Sequence, residues 1–204
     1  MLLEFRTKNY KSFVEEARFS MTAAPKQSGL DYSLMKVKVK DKNIKGLCSS
    51  VIYGPNAAGK TNIIGAMDVM RAIVLRGNIR NAEENSTPNA AACALELIPN
   101  NKLTSPEPVE FSVDFFENDL RIQYSISLDL GLFLDEEYER HILSETLSVN
   151  GDIVFDRKDT LVLGNLNVIR KYLMDVPEDN REKAGEIAKY SITRDELFLT
   201  NGFK

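Results

Sequence analysis

The residues best placed to do chemistry are consecutive: Gly54-Pro55-Asn56-Ala57-Ala58-Gly59-Lys60-Thr61. Spaced as G-x-x-x-x-G-K-[ST], they have what a backbone needs to curl its N–H groups around a polyphosphate. Glycines permit the turn, Lys60 brings a positive charge to the β and γ phosphates, and the Thr61 hydroxyl can hold Mg²⁺. With average residue usage, roughly one chain in a hundred of this length would carry such a string by accident. The expected ligands are therefore ATP and Mg²⁺, with Lys60 as the residue acting on the transferred phosphoryl group and Thr61 as the metal ligand.

Such a loop works only between a strand and a helix. Upstream, Leu47-Cys48-Ser49-Ser50-Val51-Ile52-Tyr53 reads as a short strand buried on both faces. Downstream, Ile63, Ala66, Met67, Met70 and Val74 recur at helical spacing, which predicts a helix from Lys60 to about Arg76. The free N–H groups at its N-terminus, and the positive end of its dipole, would face the phosphates.

Charge gives no global sign of a nucleic-acid or anionic-membrane surface, because 26 Lys and Arg stand against 30 Asp and Glu. A local run, Lys36, Lys38, Lys40, Lys42 and Lys45, alternates with apolar residues and reads as the solvated face of a strand pair rather than a polyanion surface. Cys48 and Cys93 lack metal-ligand spacing, and Cys48 reads as a small core residue. The single histidine, His141, excludes a histidine-rich metal site. The first residues alternate like a strand, so neither a leader nor a membrane span is expected, and the cysteines fit a reducing cytoplasm.

The organisation is one lobe over residues 1–204. Leu3 and Phe5, then Ala17, Phe19 and Met21, then Met35, Val37 and Val39 alternate with polar residues, as antiparallel strands with one wet face do. Residues 77–105 read as loop-rich and residues 109–164 as hairpins, one turning at Glu117-Asn118-Asp119, one at Asn150-Gly151, with a further strand at Leu161-Val162-Leu163. Beyond Gly164 the period becomes helical, with stripes at Val168, Ile169, Tyr172 and Leu173 and at Ala184, Ile187 and Ala188. The fold class is α/β, a P-loop NTPase lobe on a mixed sheet rich in antiparallel strands. The regular strand–helix alternation of a nucleotide kinase or small GTPase is missing.

Asn9-Tyr10-Lys11-Ser12-Phe13, followed by Tyr53-Gly54-Pro55-Asn56-Ala57-Ala58-Gly59-Lys60-Thr61-Asn62, resembles the head domains of the SMC, RecF and OLD ATPases. The likeness extends to the stand-alone prokaryotic AAA-family ATP-binding proteins, which also have segments like Ser144-Glu145-Thr146-Leu147 and Glu196-Leu197-Phe198-Leu199. The resemblance implies an ATP-binding-cassette-type lobe in which Lys11 and Ser12 lie near the adenine or the phosphates. It further implies that Asn56 to Thr61 wrap the phosphates and that Asn62 adds an N–H contact. Lys11 could equally be a solvated lysine in a turn between strands.

Such heads also carry a serine-glycine signature, an acidic strand for Mg²⁺ and the attacking water, and a γ-phosphate-sensing glutamine. The first two are absent here, and Gln123, inside a hairpin strand, is a weak candidate for the third. The expectation is an incomplete site, finished by residues outside this chain and by a second head in a homodimer. Leu132-Phe133-Leu134-Asp135-Glu136 imitates the acidic strand, but Gly131 and the following polar residues favour a solvated connection. Two functions stay open: a Mg²⁺-dependent ATPase, or a nucleotide switch controlling a partner such as a nuclease. The resemblance implies DNA-linked or anti-phage work; the acidic balance does not support DNA contact.

Overall fold

Alternation of apolar and polar residues builds one seven-stranded sheet and a two-stranded ribbon, joined by the Leu47 N–H to the Met21 carbonyl (2.7 Å) and the Ala23 N–H to the Lys45 carbonyl (3.2 Å). The computed structural model describes residues 1–24, 29, 31–40, 42–56, 58–80, 95–133, 135, 138–172 and 192–202. The strands are β1 (Leu2–Lys8), β2 (Ala17–Ser20), β3 (Leu34–Val39), β4 (Lys42–Leu47), β5 (Val109–Glu117), β6 (Leu120–Asp129), β7 (His141–Val149), β8 (Asp152–Arg157) and β9 (Leu161–Leu163). The helices are α1 (Lys60–Arg76) and the single turn α2 (Phe198–Asn201). The large sheet runs β2-β1-β5-β6-β7-β8-β9, and β3 pairs with β4 alone. Every described pairing is antiparallel, where the sequence had pointed to a mixed sheet.

Register explains the two faces. Phe5, Val113, Tyr124, Leu147 and Phe155 are successive cross-strand partners and form one apolar row. Glu4, Asp114 and Gln123 are partners in the neighbouring row and face the other way. The apolar face carries α1, which buries Ile63, Ala66, Val69, Met70 and Ile73. The predicted helix bounds hold, although Val69 and Ile73 lie deeper than Met67 and Val74, which are only partly buried. Both predicted hairpins are present, turning at Asn118-Asp119 and Asn150-Gly151 with positive φ at each position.

The segment at 192–202 closes the fold through Glu145 on β7, which is fully buried. Its carboxylate accepts the Phe198 N–H (2.7 Å), the Leu199 N–H (2.8 Å) and the Tyr124 hydroxyl (2.9 Å), with the Arg157 guanidinium at 3.5 Å. Burial nevertheless leaves its pKa raised, because four donors only partly offset the lost hydration. The two segments that resembled family sequence, at 144–147 and 196–199, thus meet at one carboxylate. The same segment grips the end of α1. The Thr200 hydroxyl donates to the Val74 carbonyl and the Asn201 amide to the Gly77 carbonyl, both at 2.8 Å.

Several expectations are corrected. Residues 48–53 form no strand. Apart from one bond from the Cys48 N–H to the Ser33 carbonyl (3.0 Å) no strand pairs with them among the described residues, and Val51 and Tyr53 are 82% and 90% exposed. Without a neighbouring strand, the apolar side chains have no layer to enter. For the same reason Cys48 is exposed rather than core. Lys36, Lys38 and Lys45 do lie on a solvated face: all three are exposed, Lys36 lies opposite Lys45, and Lys36 pairs with Asp31. Residues 166–172 form a 3-10 turn rather than an α-helix. Cys93, Leu173, Ala184, Ile187, Ala188 and residues 81–94 of the loop-rich region lie outside the described residues.

Replacing Glu145 by Ala leaves the Phe198 and Leu199 N–H groups and the buried Tyr124 hydroxyl without their acceptor, and removes the counter-charge of Arg157. Urea unfolding should show a loss of about 3–5 kcal/mol, and a loss under about 1 kcal/mol would mean the contacts are incidental.

Candidate nucleotide site

The loop at 54–59 and the first turn of α1 form an open, solvent-facing bend. Gly59 ends it at φ 84° and starts α1 without a side-chain cap. Without such a cap the Lys60 and Thr61 N–H groups stay available, at the positive end of a 17-residue helix. Asn62 N–H and Ile63 N–H both bond to the Gly59 carbonyl, at 3.0 and 3.3 Å, which fixes the direction of that turn. The Lys60 ammonium folds over the bend and donates to the carbonyls of Gly54 (2.8 Å) and Pro55 (2.6 Å). Its charge thus lies where a polyphosphate would enter. An anionic oxygen is a better acceptor than those carbonyls, because charge-assisted bonds are roughly twice as strong as neutral ones. Thr61 is exposed at the same end. Ala57 lies outside the described residues.

A second wall comes from the opening motif. Residues 10–13 form a tight turn in which Tyr10 and Phe13 exchange both backbone bonds, at 3.0 and 2.9 Å. The turn rests on the loop. The Asn62 amide donates to the Ser12 hydroxyl at 2.7 Å, and a Cβ on Gly59 would stand 3.0 Å from that hydroxyl and 3.2 Å from the Phe13 ring. Gly59 is thus needed both for its backbone angle and for this close approach. Lys11 does not float in solvent. It pairs with Glu96 and lies 5.6 Å from the Tyr10 ring centroid, and its pKa is raised chiefly by the Glu96 carboxylate.

What fixes this turn was not visible in the motif. Asn9 and Lys11 both have positive φ, at 50° and 48°. For a lysine that conformation costs about 1–2 kcal/mol and needs support. Buried Asn100 supplies it, taking an Asn9 side-chain oxygen on its own N–H (3.0 Å) and donating its amide to the Lys11 carbonyl (2.6 Å). Asn9 in turn donates to the Glu107 carbonyl at 2.7 Å. Glu96, Asn100 and Glu145 are therefore structural partners that spacing rules could not reveal.

Other candidates fall away. Gln123 is on the polar face of the sheet, bonded to Asp114 at 3.2 Å, while α1 covers the opposite face. Asp135 is exposed beside a bend rather than on a strand, and Glu136 lies outside the described residues. Among the described residues no group of acidic, His or Cys side chains could hold a metal ion. The loop, Lys60 and Thr61 fit a nucleotide with its Mg²⁺; a second, acidic metal ligand is not among them.

An antiparallel sheet carrying one glycine-loop helix defines a P-loop NTPase-like α/β domain. The profile of the family described as "AAA domain, putative AbiEii toxin, Type IV TA system" matches residues 49–185, and the chain belongs to that family. AAA-family membership makes it a domain of the nucleotide-binding, ATPase class. No curated protein and no solved structure matches the chain. No helix among the described residues is long and apolar enough to cross a membrane.

Gly59→Ala and Gly29→Ala separate the two demands on glycine, since Gly29 has φ 81° with no atom near its missing Cβ. Both should lower the melting temperature, by about 1–3 kcal/mol of strain. Only Gly59→Ala should weaken the affinity for a fluorescent ATP analogue. The expected loss is about tenfold or more, equivalent to at least about 1.4 kcal/mol.

Proposed function

We propose that this chain binds ATP with Mg²⁺ and forms half of an ATP-hydrolysing site in an ABC- or SMC-like head. The observation that carries this reading is the open glycine bend at the start of α1, with the Lys60 ammonium folded over it. In this reading residues 54–61 cradle the phosphates with backbone N–H groups, and Lys60 neutralises the β and γ oxygens. The Thr61 hydroxyl serves as a Mg²⁺ ligand, and Asn62 and Ser12 fix the rim. Lys11, released from Glu96, adds a second cation near the nucleotide. Bound Mg²⁺ would supply charge neutralisation at the transferred phosphoryl group.

The rest of the site comes from residues outside this chain, in a second lobe and in the facing head of a homodimer. The exposed apolar run at 51–53, just before the loop, supports this, because such side chains are usually covered by a neighbouring strand. That the described residues hold no cluster of acidic, His or Cys side chains able to bind a metal is in keeping with it. A second reading, which the same observation favours, is a switch: nucleotide occupancy orders the loop and controls a partner effector such as a nuclease. The toxin–antitoxin description of the family fits a cytoplasmic, defence-linked role in either reading, with DNA contact left to the partner.

Lys60→Ala should weaken ATP binding at least about a hundredfold, equivalent to about 2.7 kcal/mol. Titration calorimetry measures this, and unchanged affinity would remove the nucleotide assignment. Steady-state turnover by the 204-residue chain separates the two readings. Hydrolysis that depends on Lys60 favours an enzyme with its own acid, and binding without turnover favours the switch or a site completed elsewhere.

A further inference from the structure

A second cavity lies at the other end of α1. It encloses about 560 Å³ and is walled by Ile79 and Arg80 past the helix, Tyr138, Arg140 and His141 before and at the start of β7, and Arg194. Backbone bonds hold the walls together, from Ile79 N–H to the Asp195 carbonyl (3.0 Å) and from Ile142 N–H to the Arg194 carbonyl (2.8 Å). At 1.5 Å per residue, α1 places this cavity roughly 25 Å from the nucleotide loop.

Among the described residues its charge is not balanced. Arg80 pairs with Asp195 and, at 3.0 Å, with Glu196, and the Arg80 pairing draws the Asp195 carboxyl down to about 2. Glu139 turns outward, with its side chain 92% exposed, and its carboxylate lies 3.8 Å from the His141 ring. The Tyr138 hydroxyl is committed to Asp129 and the Thr193 hydroxyl to Asp195. Both acids of the wall are thus occupied or directed to solvent. Arg140 and Arg194 remain, with no ion pair or side-chain hydrogen bond among the described residues. The Nη1 atom of Arg140 is fully buried with no acceptor at all among them.

A buried donor without an acceptor forfeits the hydrogen bonds it had in water, and a charged one forfeits more. Burial accordingly depresses the Arg140 pKa. Native proteins carry few such donors, and each calls for an acceptor such as water, an ion or a ligand. The guanidinium fork matches a carboxylate or phosphate face bidentately, and the volume lies in the range of small-molecule sites. We infer that this cavity binds a small oxyanion, the phosphate or carboxylate group of a diffusible ligand, on Arg140 with Arg194 as the second cation. The inference is independent of the nucleotide reading.

The test must keep phosphate out of the loop, so it uses the full chain carrying Lys60→Ala. Inorganic phosphate, citrate and sodium chloride at matched ionic strength are titrated while melting temperature and the Arg Nε–H NMR signals are followed. Phosphate or citrate should raise the melting temperature and shift the Arg140 signal where chloride does neither. A response to phosphate alone assigns a phosphorylated ligand, and one to citrate alone a carboxylate. Adding Arg140→Gln should weaken the response about tenfold or more, as expected when a charge-assisted bond is removed. Arg194→Gln provides the same reading should the first variant fail to fold. Equal responses to chloride and the two oxyanions, or oxyanion binding unchanged in the folded variants, would overturn the inference.

Discussion

Glu145 stands at zero exposure on a central strand, where an ionised carboxylate can persist only if surrounding donors replace its water. Tyr124 comes from the strand on one side, Arg157 from the strand on the other, and the Phe198 and Leu199 N–H groups from the start of α2. No single one of these could compensate the burial, so the carboxylate forces four elements to assemble together or not at all. Arg157 extends the effect by donating to the Glu196 carbonyl (2.5 Å) and the Thr193 carbonyl (2.9 Å). The segment at 192–202 is in this way fastened to the sheet by polar contacts buried under apolar ones. Its apolar part is the edge-to-face pair Phe155–Phe198, with ring centroids 4.8 Å apart.

That fastening matters to the site because the segment also holds the far end of α1. Gly77 closes the helix at φ 75° with its N–H on the Ile73 carbonyl (2.8 Å), and a Cβ there would meet Thr200 at 3.0 Å. At the near end, the turn at 10–13 presses on Gly59 and is itself held by Asn9 and Asn100. A helix fixed at both ends presents its first-turn N–H groups in one direction before any ligand arrives, so binding need not supply the ordering cost. The left-handed Lys11 is where this arrangement stores strain, and the Asn100 amide on its carbonyl opposes relaxation.

Local periodicity carried most of the fold. The bounds of α1, the two hairpins and their turn residues follow from spacing and from Asn, Asp and Gly at positive φ, all of which act within a few residues. What failed was whatever depends on a distant neighbour. Residues 48–53 have the composition of a buried strand, but burial needs flanking strands, and no local pattern states whether they are there. Cys48 failed for the same reason. At the site, the glycine loop was legible because its chemistry is local. The resemblance placed Ser12 and Asn62 near one nucleotide, but the bond between them, across 50 residues, was not legible. Asn100 and Glu145 were invisible, because a buried asparagine or glutamate is recognised by its partners rather than by its own neighbours in sequence.

The two ends of α1 also differ in what they ask of a ligand. At the loop, Lys60 already has acceptors in the Gly54 and Pro55 carbonyls, so a nucleotide must displace those bonds before forming its own. At the opposite end the Arg140 side chain has no acceptor among the described residues, so the oxyanion proposed for that cavity would have no protein bond to displace there. A rigid helix between two sites is not coupling in itself. Coupling needs a ligand at one end to bind two states of the other unequally. The segment at 192–202 is the element through which that inequality could act, because it contributes Arg194 to the cavity and holds the Val74 and Gly77 carbonyls of α1 through Thr200 and Asn201.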